Sequence, residues 1–435
     1  MTDTIQTAHD NPLSAGVEER VIGPCRVLMM PTPVQGVVSW EGSFTAHPDM
    51  AGGDELVQAI TVRLLDKGTT LRDRFALAED LDNRGAQLHF SSDALRVGFQ
   101  GKALRDDVPD VVRIMAEELR HPLFDAAEFT KAKAQYMAGL QRTLENTDAQ
   151  ATAALSRRLY DAAHPNYIPP TPHSMAQLEG LTREQVRAYQ ARHFGARDLL
   201  LVFVGDIDTE AVAQALREAF GDWTDHEAPP LFSTAMGVLP PDQSRIVLPD
   251  KENVDVRMGH TLSVYRQDPD YVPLYVASYI LGGNFSARLM TKIRDEMGLT
   301  YGIHARLSGI TREYGGHWDI GVTLSRAYVG QGLAATLDEV QRFVDEGPTA
   351  DELEEKQTTI TGAFKVGLAT TGGLASTLYR HAIQGFEVAY LDRFPEEVAA
   401  VTLDRVHRAV QQHFRPDRFQ TALAGTLAEA TVSEA

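Results

Sequence analysis

The chain has 435 residues, 43% hydrophobic and 23% charged, which is typical of a globular protein with about two to four domains' worth of core. Its net charge of −19 would repel phosphates, which argues against a nucleic-acid or anionic-membrane partner. The single cysteine, Cys25, excludes an internal disulfide framework and a cysteine-based zinc site, and we expect it to be buried and inert.

The first residues are polar and acidic and contain no apolar segment, so no secretory signal is expected. No stretch of about 18 apolar residues occurs, so no membrane-spanning helix is expected. We therefore expect a cytoplasmic protein.

The elements of the first part follow one another as strand, helix, helix and strand. Alternation of apolar and polar residues from Leu95 to Gln100 predicts a half-buried strand of an antiparallel sheet. An amphipathic helix follows, with its apolar residues on one face: Val108, Val111, Val112, Met115 and Leu119. A further helix begins near Asp125, and residues 181–194 predict a helix that leads to an apolar strand ending at Gly205.

The second part of the chain repeats this order. The segment from Leu181 to Gly205 matches Val401 to Gly425 at an offset of 220 residues (406 − 186). The helix start at Pro122 matches Pro348 at an offset of 226 (348 − 122). Alternation recurs at Trp318, Ile320, Val322 and Leu324.

These matches predict an α+β fold made of two homologous halves, each an antiparallel-rich sheet packed with helices. The expected divisions are an N-terminal domain over residues 1–226, a proline-rich linker over 227–244 and a C-terminal domain over 245–435.

Several motifs make the chain similar to a known family. They are Leu64-Leu65-Asp66-Lys67-Gly68-Thr69, Asn83-Arg84-Gly85-Ala86, Val204-Gly205-Asp206 and Leu281-Gly282-Gly283-Asn284-Phe285-Ser286-Ala287-Arg288-Leu289, which runs on to Tyr301. From about residue 20 to 428 the chain resembles the M16 zinc peptidases (pitrilysin, insulysin and the mitochondrial processing peptidase), and most closely the bacterial type that pairs two chains. The resemblance implies a fold in which each chain forms half of a clamshell that closes around a peptide.

The resemblance also implies a zinc motif, His-x-x-Glu-His, which this chain lacks. Its ligand positions hold Ala59 and Arg63, and the general-base position holds Val62. The third ligand, a downstream Glu in the family, falls at Gly139. A catalytic zinc needs three protein ligands, and none of these residues binds zinc, so no metal is expected in this chain.

No other pair of histidines has the spacing of a helical zinc site. His164 and His173 flank a proline-rich loop and are the one remaining candidate pair, although a structural role is favoured for them. His193 and His413 occupy equivalent places in the two repeats, which favours a structural role before each strand.

Two residues of the active family members are retained. Arg294 and Tyr301 keep a spacing of seven residues (301 − 294). A guanidinium and a phenol can donate hydrogen bonds to a substrate carbonyl oxygen as it gains negative charge. The alternative to this donor role is that Arg294 is a solvated surface residue and that Tyr301 is a core residue of a strand. Gly282, Gly283 and Asn284 are expected to bind substrate. Gly282 and Gly283 are also expected to permit a tight backbone entry into a helix over residues 286–297. The alternative is that these glycines form only a plain helix-start turn, which is compatible with substrate binding.

We interpret the chain as a zinc-less subunit of a heterodimeric M16-type peptidase, inactive alone. It would bind peptide and donate Arg294 and Tyr301 to the zinc site of a partner that carries His-x-x-Glu-His. The peptide is expected to add as a strand to an exposed sheet edge, which the sequence does not locate. The alternatives are an inert scaffold that forms homodimers and, less favoured, an active metallopeptidase with unrecognised ligands.

Overall fold

The computed structural model describes residues 12–46, 48–225, 232–237 and 240–427. The expected linker, residues 227–244, falls partly outside these residues, and its last three residues belong to a strand that begins at Asp242. None of the described helices has the length and apolar character needed to cross a membrane.

Two sheets form the framework. The strands of the first are β1 (Glu18–Ile22), β2 (Cys25–Pro31), β3 (Val37–Thr45), β4 (Gln87–Ser92), β5 (Arg96–Leu104) and β6 (Leu200–Gly205). The strands of the second are β7 (Asp242–Val247), β8 (Asn253–Leu262), β9 (Thr300–Ser308), β10 (Gly316–Ser325) and β11 (Gln420–Gly425).

Helices surround both sheets. In the first half they are α1 (Asp54–Val62), α2 (Arg74–Asn83), α3 (Val108–Arg120), α4 (Ala126–Leu144), α5 (Thr147–Leu159), α6 (Thr171–Gly180), α7 (Arg183–His193) and α8 (Thr209–Phe220). In the second half they are α9 (Tyr271–Gly282), α10 (Val329–Glu346), α11 (Ala350–Gly367), α12 (Thr371–Ile383), α13 (Tyr390–Ala399) and α14 (Leu403–His413).

The two sheets share one topology. The first has the order β1-β2-β6-β3-β5-β4 and the second β7-β11-β8-β10-β9, so the second repeats the first without β1. In each sheet one pair of strands is parallel, β2 with β6 and β7 with β11, and the remaining pairs are antiparallel. This confirms the α+β fold of two homologous, antiparallel-rich halves.

Local signals explain why the matched segments form the same elements. Thr182 begins α7 and Thr402 begins α14, each accepting a backbone N–H in the first turn, and each helix ends at a histidine before a strand. Asp125 and Thr349 cap α4 and α11 in the same way. The alternating segments form strands β5 and β10, as predicted. Buried residues are Val97 and Phe99 on β5 and Trp318, Ile320, Val322 and Leu324 on β10.

Each half lends a helix to the sheet of the other half. Helix α12 packs on β3 and β6 of the first sheet, and α5 packs on β8 and β11 of the second. The hydroxyl of Tyr379 on α12 donates to the Ser43 hydroxyl at 2.8 Å, and the hydroxyl of Thr147 on α5 donates to the Asp255 carboxylate at 2.5 Å. The described parts of the two halves are therefore packed into each other by exchanged helices.

Candidate functional site

Helix α1 carries the positions of the lost zinc motif. Val62, at its last turn, is 5% exposed and packs in the core of the first half. Arg63 caps the helix and is exposed, with its guanidinium carbon 5.2 Å from the ring centroid of Tyr136 on α4. Ala59 is partly buried one turn earlier. This donor set does not fit zinc, because it offers no metal ligand and places a cation where a divalent metal would lie.

Two cavities lie beside these positions. One of about 410 Å³ is bounded by Ala59, Val62 and Arg63, by Phe90 to Ser92 of β4, and by Tyr136. A second of about 300 Å³ shares Val62, Arg63 and Phe90 and extends along Leu88 and His89. The structure thus brings Ala59, Val62 and Arg63 together against strand β4.

Gly139, the predicted position of the third ligand, lines neither cavity. A β-carbon built there would meet only the Arg142 guanidinium, at 3.9 Å. Tyr136, almost one turn earlier on α4, is the residue that faces Arg63. The sequence places the third ligand position at Gly139 by spacing alone, which does not determine the face of a helix to within a turn and gives no signal for Tyr136.

Two carboxyl groups also border the larger of these cavities. Burial raises the pKa of Glu55, to which the charge of Asp93 adds, and burial likewise raises the pKa of Asp93. Glu55 lies one turn before Ala59 on the same face of α1, a helical spacing through which the sequence reasoning could have found it. In the described part of the chain, no group of three His, Cys, Asp or Glu residues is placed to hold a metal ion.

Strand β4 is an edge strand. It pairs with β5 on one side only, and the other side carries no strand among the described residues. Residues 88–92 of this strand line the two cavities beside Arg63. A sheet edge therefore lies beside the zinc-motif positions.

Arg294 lies on a π-helical segment, Met290–Glu296, rather than on a regular α-helix over residues 286–297. Its side chain is 39% exposed. The guanidinium carbon lies 5.6 Å from the ring centroid of Phe285, and Nη1 donates to Asp295 at 3.2 Å. Short π-helical segments occur frequently at functional sites.

Tyr301 is the second residue of β9, the edge strand of the second sheet, and it is 95% exposed. Its predecessor Thr300 is buried, and the Thr300 hydroxyl donates to the carbonyl of Thr323 at 2.6 Å. Gly298, with φ +64°, makes the turn that leads into the strand. The backbone is thus fixed so that the tyrosine points outward.

Gly282 and Gly283 end helix α9, and the backbone turns directly after them. A β-carbon on Gly282 would lie 2.2 Å from the backbone nitrogen of Ala305 on β9, and one on Gly283 would lie 2.5 Å from the Tyr279 ring. Neither glycine has a positive φ. Both are required by close packing, and Gly282 lets α9 touch β9.

Asn284 and Ser286 continue the segment that carries Phe285. Ser286 Oγ donates to Asn284 Oδ1 at 3.3 Å. Lys356 on α11 is 1% exposed, and its ammonium group donates to the Ser286 carbonyl at 3.1 Å and to its hydroxyl at 2.6 Å. Lys356 lies on the apolar face of α11 between Leu353 and Ile360, a pattern that signals a buried lysine and that the sequence reasoning missed.

The remaining histidines and the cysteine lie in separate environments. His164 is buried and stacks on Tyr160 at 4.2 Å, and burial lowers its pKa to about 4. His173 lines a different cavity, of about 530 Å³. His193 stacks on Tyr189 at 4.3 Å before strand β6. Cys25 is buried, and burial raises its pKa to about 12, as expected for an inert thiol.

Comparison with known families decides the assignment. Residues 41–167 match the model described as insulinase, peptidase family M16, and residues 180–360 match the model described as the M16 inactive domain. The chain belongs to peptidase family M16. Its zinc-motif positions hold Ala59, Val62 and Arg63, none of which is a zinc ligand.

Relatives of similar length support this placement. The chain is 22% identical to an uncharacterized zinc protease of Streptomyces coelicolor, over 92% of this chain and 86% of that protein. It is 19% identical to the non-peptidase homolog YmxG of Helicobacter pylori, over 81% and 80% respectively. The crystal structure of a peptidase M16 inactive domain from Pseudomonas fluorescens has the same fold, with a TM-score of 0.84 at 22% identity over 95% of this chain and 98% of that one.

Proposed function

We propose that this chain is the zinc-less subunit of a two-chain M16 peptidase, in which it presents Arg294 and Tyr301 to the zinc site of a partner. The observation that carries the proposal is the outward position of Tyr301. At 95% exposure it contributes almost nothing to the packing of its own chain, although its backbone is fixed by the buried Thr300. Such a side chain is available to a second chain.

The chemistry of the two groups supports this role. Peptide hydrolysis builds negative charge on the carbonyl oxygen, and a guanidinium and a phenol both donate hydrogen bonds to it. The Arg294 guanidinium lies within cation–π distance of the Phe285 ring, at 5.6 Å from its centroid. A scaffold protein has no need of such donors, whereas the zinc-less partner of an active chain does.

A peptide site at strand β4 agrees with the same proposal. The strand leaves one edge without a neighbour in the described chain, and cavities of about 300 and 410 Å³ adjoin it. An extended peptide can add to such an edge by main-chain hydrogen bonds while its side chains enter the cavities. Polar groups of both signs, including Arg63, Glu55 and Lys131, line these cavities and would set the preference for side chains.

Co-expression tests the proposal. This chain and a homologue from the same genome that carries His-x-x-Glu-His should co-purify and cleave a quenched fluorescent peptide library, and neither chain should do so alone. A homodimer that does not bind the homologue would support the scaffold alternative instead. Cleavage by this chain alone, with bound zinc, would support an active enzyme with other ligands.

A further inference from the structure

A cavity far along the chain from the zinc-motif positions is built like a small-molecule site. It has a volume of about 350 Å³ and lies between helices α9, α11, α12 and α13, with Ile310 of the β9–β10 connection at its wall. Ligand pockets have volumes of about 300 to 1,000 Å³, so a compact molecule fits. None of the residues that line it belongs to the donor site or to the β4 edge.

Two cations and no carboxylate line this cavity. Arg266 and Arg380 both border it. No Asp or Glu is among the described residues that line the cavity, although Glu41 lies close enough to Arg380 for their charges to interact. In a chain with a net charge of −19, two arginines that share a cavity without an acid are a distinctive feature.

Arg266 is held in a fixed position. Its guanidinium carbon lies 4.1 Å from the ring centroid of Tyr271 and 5.1 Å from that of Phe386. Its Nη1 nitrogen is shielded from solvent and has no hydrogen-bond partner. Because Nη1 is out of reach of solvent, an anion in the cavity would act on Arg266 through the part of its side chain that lines the cavity.

His381 is a further polar residue at the wall of this cavity. Its Nδ1 atom is also buried without a hydrogen-bond partner, and the residue lines the same cavity. Burial lowers its pKa to about 4, and the charges of Arg266 and Arg380 lower it further in the same direction. The imidazole is therefore neutral and can donate one hydrogen bond, while both cations act on the same space.

Aromatic rings form most of the remaining wall. They belong to Tyr271, Tyr275, Phe364 and Phe394. The connections around the cavity are tied together, since the Gln267 side chain donates to the Gln384 carbonyl at 3.0 Å and the Arg312 N–H donates to the Gln384 side chain at 2.9 Å. The cavity is thus bordered by cationic groups on one side and by an aromatic wall on the other.

We propose that this cavity binds a small aromatic carboxylate, with the carboxylate on Arg266 and Arg380 and the ring among the tyrosine and phenylalanine side chains. A carboxylate matches the planar donors of a guanidinium. The site is independent of the proposed peptidase partnership.

Titration calorimetry of the whole chain with phenylacetate tests the proposal, with phenylacetamide as the uncharged control and phenyl phosphate as the competing anion. Phenylacetate should bind with saturation, and the amide at least about tenfold more weakly, since a charge-assisted hydrogen bond is lost. Arg266→Gln should weaken binding by a similar factor. Arg380→Gln, which changes an exposed residue and leaves the core intact, should also weaken it.

Arg418→Gln is the matched control, because Arg418 is exposed and does not line the cavity, and it should bind as the wild type does. Equal binding of acid and amide, tighter binding of phenyl phosphate, or unchanged affinity in Arg380→Gln would each overturn the proposal. So would the absence of saturable phenylacetate binding to the folded wild type up to about 10 mM.

Discussion

Edge strands β4 and β9 hold the same place in the two sheets, yet the groups beside them have changed in opposite ways. Beside β4, Val62 of the zinc-motif positions lies in the core at 5% exposure, and Arg63 is exposed with its guanidinium near the Tyr136 ring. Beside β9, Tyr301 is 95% exposed and the Arg294 guanidinium lies over the ring of the exposed Phe285. Packing explains Val62 at the first edge and does not explain Tyr301 at the second, so the donor function should be sought at the second edge.

The largest expected effect comes from restoring zinc ligands and the general base beside β4. The variant Ala59→His, Val62→Glu, Arg63→His and Tyr136→Glu should bind zinc stoichiometrically, because a third ligand from α4 completes the site. Its affinity should be roughly a hundredfold higher than that of the same triple change with Gly139→Glu. Competition with a chromogenic chelator measures this, and equal affinities would show that Tyr136 does not mark the ligand position.

The helices that cover the two sheets provide the next comparison. On α3, Glu118 is 1% exposed and burial raises its pKa to about 8, whereas on α10 the buried Glu339 pairs with Arg342 at 3.1 Å. Between the unfolded pKa of about 4.5 and the folded value, the folded state retains a proton that the unfolded state has lost, so stability falls as the pH rises.

Glu118→Gln should therefore gain about 2 to 4 kcal/mol over the wild type near pH 9 and little near pH 5, as measured by urea unfolding. Glu339→Gln should show no such gain. A Glu118→Gln effect that is equal at both pH values would mean that the buried carboxyl does not titrate as inferred.

A smaller effect concerns the contact that holds β9 in place. Gly282→Ala should cost about 1 to 3 kcal/mol in the free energy of unfolding, because its β-carbon would lie 2.2 Å from the backbone of Ala305. Gly302 lies on β9, as Ala305 does, but a β-carbon built there would have no atom within 4 Å. Gly302→Ala should therefore change the free energy of unfolding by less than about 0.5 kcal/mol. Similar costs for the two variants would refute a role of close packing at Gly282.

Much of this architecture could be predicted from the sequence because the repeat and the alternation of β5 and β10 are strong local signals. The glycines at 282 and 283 illustrate a limit, since their cause is a contact with β9 that no local pattern reports. The exchange of α5 and α12 between halves was missed for the same reason. Gly139 was placed by spacing alone, which does not determine the face of a helix to within a turn.

Kinetics of the co-purified pair test the central claim most directly. Arg294→Ala and Tyr301→Phe in this chain should each lower kcat by about 10²–10³, while KM, the stability of the pair and the zinc content of the partner stay the same. A matched exchange at Arg306, an exposed arginine further along β9, should leave kcat near that of the wild type. If Arg294→Ala and Tyr301→Phe retain the wild-type kcat in an intact, zinc-loaded pair, this chain does not donate to the partner's site.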